Sequence, residues 1–166
     1  IGAFMKRKEN GSDNRWKWIF FLYVLIIIRL IIFKFPYEEL REIMAGWQKD
    51  VIWEGLDTAN FTLFKTIRMY IRYYDRLNSF EHLFGNVLIF VPYGILYPLA
   101  FPKKRHYILF FPTVFLFVLG IELFQLFSAF GQFDVDDILL NCLGAVIGII
   151  FMIAVRKIKW YDVLKQ

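Results

Sequence analysis

Four stretches of the chain are apolar almost throughout: Trp16–Phe35, Leu83–Phe101, Ile108–Phe127 and Ile138–Val155. A helix rises about 1.5 Å per residue, so crossing a hydrocarbon core of roughly 30 Å takes about 20 such positions. Residues 36–82 follow another pattern. Leu40, Ile43, Met44, Trp47 and Val51 recur at helical spacing. Farther on, Phe64, Ile67, Ile71 and Tyr74 form an apolar stripe, and Lys65, Arg68, Arg72 and Arg76 form a basic stripe beside it. Amphipathic stripes next to Trp47 and Trp53 suit helices lying at a membrane interface. The pattern predicts an all-α membrane protein with four transmembrane helices plus one or two extracytoplasmic interfacial helices. Residues 16–155 then form one membrane domain between cytoplasmic tails at 1–15 and 156–166.

Composition supports this pattern. Of the 166 residues, 58% are hydrophobic, against roughly 45–50% in a soluble domain. That excludes a disordered chain and a soluble enzyme core. One cysteine, Cys142, excludes a disulfide framework and a thiolate zinc site. No Gly-rich phosphate loop is present.

Charge sets the orientation. With four crossings, one side holds Lys6, Arg7, Lys8, Arg15 and Lys17, the 103–105 basic run, and Arg156, Lys157, Lys159 and Lys165, opposed only by Glu9, Asp13 and Asp162. Acids outnumber bases on the other side. Lys and Arg mark the cytoplasmic face, so both termini are expected inside and residues 36–82 outside. The first apolar stretch is too long for a cleavable signal and lacks a small-residue cleavage site. The net charge of +5 is then an orientation signal, and nucleic acid is not an expected partner.

Polar residues inside the spans carry the candidate chemistry. An ionisable group there costs about 2.5–3.5 kcal/mol on insertion scales, so it faces the bundle and wants a partner. Arg29, Asn86, Glu122, Gln125 and Asn141 all fall in the outer parts of their spans. Asp134, Asp136 and Asp137 lie just above the last span. Glu122 and Gln125 share a helix face, as do Asp137 and Asn141. Below Asn141 on that face, Gly144, Ala145 and Gly148 would let another helix approach closely. Four acids face one nearby in-span cation, so the remainder is expected to take a cation, a polar ligand or water. Of the acids, Asp134 stands nearest the loop tip and is the one expected to be merely exposed.

The expected ligand-binding set is Arg29, Lys65, Arg68, Arg72, Asn86, Glu122, Gln125, Asp134, Asp136, Asp137 and Asn141, with the basic helix roofing an outward pocket. Glu122, Asp136 and Asp137 are hard oxygen ligands that could hold a divalent cation, Mg²⁺ or Ca²⁺. No catalytic residue is assigned. His82 and His106 fall on opposite sides of the membrane in this topology.

These residues resemble the VanZ-like family. The resemblance rests on Asn86, Phe90-x-Pro92-x-Gly94, Glu122-x-x-Gln125 and Asp134-x-Asp136-Asp137-x-x-x-Asn141-x-x-Gly144-x-x-x-Gly148. Residues Asn60–Ile67 also resemble the family's segment before the second span. Leu63–Phe64 stands where the family usually has Pro-Phe, so the start of that helix is expected to differ. The resemblance covers about residues 60–155. It implies a cell membrane of a Gram-positive bacterium, an outward role in the cell envelope near the cell wall, and reduced susceptibility to glycopeptide antibiotics such as teicoplanin. It names a resistance phenotype and no reaction. The expected function is binding of drug, membrane lipid or lipid-linked wall precursor in the outward pocket. The alternative is a metal- or carboxylate-dependent enzyme acting on a lipid-linked envelope substrate. A transporter ranks third, because the inner halves of the spans are apolar.

Overall fold

The computed structural model describes residues 14–31, 37–46, 50–74, 79–128 and 130–164. These residues form seven α-helices and no strand. In chain order they are α1 (Asn14–Ile31), α2 (Tyr37–Gly46), α3 (Asp50–Thr58), α4 (Lys65–Arg72), α5 (Ser79–Ala100), α6 (Lys104–Ser128) and α7 (Val135–Leu164).

Three helices are long and apolar enough to cross a membrane, over Glu81–Ala100, Tyr107–Ser128 and Val135–Lys157. Their outward faces carry large apolar side chains, among them Leu88, Ile108, Phe111, Leu116, Leu143, Ile150 and Phe151, all exposed. Water would penalise such a surface, whereas lipid matches it. The protein is therefore a helical membrane protein. The expected count of four spans is met only in part. α1 has 18 described residues and carries Arg15, Lys17 and Arg29, and residues 32–35 of the expected first span lie outside the described residues.

α5 and α7 make the most extensive helix pair, and glycine is the reason. A Cβ added at Gly94 would lie 2.0 Å from the Ala145 carbonyl oxygen, one at Gly144 2.0 Å from that of Val87, and one at Gly148 2.0 Å from that of Val91. The backbones touch where side chains would hold them apart. α1 lies on α5: the Tyr23 hydroxyl donates to the Ile89 carbonyl, and Phe20 packs edge-on against Tyr93, Tyr97 and Phe101. At the opposite end of α5 from the polar residues, Arg156 donates to the Pro98 carbonyl at 2.8 Å and to the Tyr107 hydroxyl at 2.5 Å. A guanidinium there suits the negative end of the α5 dipole.

The segment between the first two apolar stretches folds into three short helices, where one or two are expected. The stripe from Leu40 to Val51 falls on α2 (Tyr37–Gly46) and the start of α3 (Asp50–Thr58), with Trp47 outside the described residues. α3 docks on α6 through Gly55, where a Cβ would sit 2.4 Å from the Leu126 carbonyl oxygen. The helix expected over about 63–77 begins at Lys65 and ends at Arg72. Its start is set by a distant side chain, and part of the expected range, residues 75–78, lies outside the described residues.

A polar pocket beneath a helix held by two aspartates

The start of α7 is built as an N-cap. Asp134 precedes the first helical residue, and its Oδ1 accepts the Asp136 backbone N–H at 2.8 Å. An aspartate there satisfies one of the four N–H groups that a helix leaves unpaired at its start. The other contacts of Asp134 reach back across the sequence. Oδ1 also accepts from Asn60 Nδ2 at 2.8 Å, and Oδ2 from the Thr66 hydroxyl at 2.5 Å. The backbones join beside it: Asn60 N–H donates to the Phe133 carbonyl at 2.8 Å, and Val135 N–H to the Asn60 carbonyl at 3.0 Å.

Asp136 is fully buried. Its Oδ1 accepts the Phe64 N–H at 2.5 Å, and Oδ2 accepts the N–H groups of Thr66 at 2.8 Å and Ile67 at 3.1 Å. A residue of α7 thus caps the N-terminus of α4, which has no local side-chain cap. Phe64 sits in the left-handed region with φ 63°. That conformation is uncommon for a bulky residue, and here the turn brings the N–H groups of Phe64, Thr66 and Ile67 to one carboxylate, while Lys65 N–H donates to the Thr62 carbonyl. Leu63–Phe64, where the helix start is expected to differ, falls at this turn.

The remaining acids also have partners. Asp137 Oδ1 accepts from Asn86 Nδ2 at 2.6 Å. Glu122, 2% exposed, accepts the Asp134 backbone N–H at 3.0 Å through Oε2. Counting acids against in-span cations leaves these groups short of partners. The structure supplies backbone N–H groups at two helix starts to Asp134, Asp136 and Glu122 and the Asn86 amide to Asp137, sources that a charge count omits. Asp134 is half-buried and accepts three hydrogen bonds, so the expectation that it is merely exposed is wrong. Glu122, Asp136 and Asp137, the expected candidates for a metal set, are bonded within the protein instead. Both oxygens of Asp136 face backbone N–H donors, and no group of three His, Cys, Asp or Glu side chains is arranged to hold a metal ion among the described residues.

Below this layer lies a cavity of about 820 Å³. Asn86, Glu122, Gln125, Asp134, Asp137 and Asn141 all line it, so six of the expected residues converge on one space. Arg29, Lys65, Arg68, Arg72 and Asp136 do not line it. α4 covers the cavity with Thr66, Met69 and Tyr70 and leaves Lys65, Arg68 and Arg72 exposed. The pocket wall is therefore the face opposite the basic stripe.

Several lining residues escape a sequence reading, namely Glu54 and Thr58 of α3, Tyr70, Gly131 and Gln132, and His82 joins them in the lining although no site role was assigned to it. Tyr70 and His82 stack with ring centroids 5.0 Å apart. Burial pushes the Tyr70 phenol up, and the negative charges of Asp137 and Asp134 push it the same way. Gly131 leaves room for Gln125: a Cβ there would meet Gln125 Nε2 at 2.7 Å. Asn60, whose amide joins Asp134 to Thr66, was visible only as part of the family resemblance. One polar atom of the pocket is unmatched. Asn141 is 2% exposed, and its Oδ1 is buried with no hydrogen-bond partner.

The family model described as VanZ/LLP1 matches residues 20–156. Protein VanZ of Enterococcus faecium is 27% identical over 128 residues, spanning 77% of this chain and 67% of that protein. No solved structure matches.

Proposed function

Because the chain belongs to the VanZ-like family, we propose that it is a cell-envelope protein that reduces susceptibility to glycopeptide antibiotics such as teicoplanin, acting through the polar pocket. The pocket faces out of the cell and binds the drug, a membrane lipid or a lipid-linked wall precursor. The observation that carries this reading is the buried, unpartnered carbonyl of Asn141 in a cavity lined by Asn86, Glu122, Gln125 and Asp137. A group needed only to hold helices together would have its partner within the protein.

In this reading the protein lies in the membrane of a Gram-positive bacterium with both termini inside, and α1 completes a fourth crossing. The excess of Lys and Arg at 6–17, 103–105 and 156–165 supports that orientation. The exposed face of α4, with Lys65, Arg68 and Arg72, meets anionic headgroups of the outer leaflet.

The test is a drug-susceptibility assay at matched protein levels. Glu122→Gln and Asn141→Ala are expected to abolish protection. Glu42→Gln, on the exposed surface of α2, is expected to leave it intact. Full protection by well-expressed pocket variants would overturn the assignment.

A further inference from the structure

We propose that the pocket recognises a primary ammonium group carried on an apolar body, with Asn141 Oδ1 accepting one of its N–H bonds. This rests on the pocket being the functional site and adds the chemistry of its ligand.

Three independent features point the same way. The first is the unmatched atom. A buried carbonyl without a donor costs about 1–3 kcal/mol, and a ligand N–H removes that cost. A carboxylate, a phosphate diester or a quaternary ammonium has no N–H or O–H to offer. The second is the sign of the walls. Among the described lining residues Glu54, Glu122, Asp134 and Asp137 are acids, and His82 alone can carry positive charge. The third is size and surface. The cavity, about 820 Å³, is far larger than an ammonium group, and Leu30, Val51, Met69 and Ile89 supply apolar wall for the rest of the ligand. The exposed cations of α4 lie outside the cavity, so they do not draw an anion into it.

The experiment uses the full chain in lipid nanodiscs and titration calorimetry near pH 7. The probes share one apolar body: phenethylammonium, its N,N,N-trimethyl derivative, 2-phenylethanol and phenylacetate. Phenethylammonium is expected to bind at least about tenfold more tightly than the other three, equivalent to one hydrogen-bonded, charge-matched contact. Equal or tighter binding of any other probe, or no binding of phenethylammonium, would overturn the assignment.

Asn141→Leu supplies a second readout. It is expected to weaken phenethylammonium binding about tenfold while keeping or raising the ligand-free melting temperature, because a costly orphan carbonyl becomes apolar. A lower melting temperature with unchanged ammonium affinity would mark Asn141 as structural and overturn the inference. The susceptibility assay separates the two claims. An Asn141→Leu protein that loses ammonium binding yet still protects cells keeps this inference and overturns the functional reading.

Discussion

Asp136→Asn tests whether the buried aspartate acts on α4 or on a ligand. The wild-type carboxylate accepts three backbone N–H groups, from Phe64, Thr66 and Ile67. Bonds to a charged acceptor contribute about 1.5–3 kcal/mol each, which bounds the total above at roughly 5–9 kcal/mol. Asparagine keeps one acceptor oxygen. Its better orientation leaves that oxygen on Thr66 and Ile67 and turns the NH₂ group toward the Phe64 N–H, donor against donor. Two bonds then survive at neutral strength and one is lost. Phe64 and Lys65 are exposed, so water can replace part of the loss, and the expected cost is about 2–3 kcal/mol. Confined to local opening of α4, that accelerates amide exchange roughly 30- to 150-fold. Hydrogen exchange with peptide resolution over residues 60–74 reads it directly. The effect should concentrate at Phe64, Thr66 and Ile67 and spare the α5–α7 contact around Gly148. Loss of drug protection by this variant would then follow from displaced Thr66, Met69 and Tyr70, which wall the pocket. Exchange over α4 within about threefold of wild type, with protection lost, would refute the capping argument and assign Asp136 to the ligand.

Gly148→Leu should lower thermal stability severely, since even a Cβ would sit 2.0 Å from the Val91 carbonyl oxygen; a melting temperature near the parent's would refute the close-contact account. Gly120→Ala, with nothing within 4 Å of the added atom, should be neutral or mildly stabilising by less than about 1 kcal/mol in the same assay. Arg29→Leu is expected to reduce abundance, and adding Glu122→Leu should recover much of the loss if the two groups share a network; a double variant as poor as the sum of the singles would break that link. A cysteine at position 132 should react with an impermeant reagent in intact cells and one at position 103 should not, with buried Cys142 silent; the reverse labelling would invert the topology.

Hydropathy, charge placement and residue spacing were enough to locate the helices that need no partner to declare themselves. α5, α6 and α7 are long apolar runs, and their length follows from bilayer thickness alone. Spacing on one helix face also placed Glu122 with Gln125 and Asp137 with Asn141, and it identified the Gly144–Gly148 stripe as a contact surface. Six of the expected polar residues share one cavity because periodicity and depth are local properties of a helix. The start of α4, the roles of Asp134 and Asp136, and the sign of the pocket wall were decided by tertiary structure. Asp136 is 72 positions from Phe64, and no window of sequence contains both. Backbone N–H groups carry no letter in the sequence, so a count of acids and bases omitted the donors that satisfy the hydrogen bonds of this layer. The basic stripe of α4 was legible, but which of its faces turns toward the cavity depended on where α7 holds its first turn.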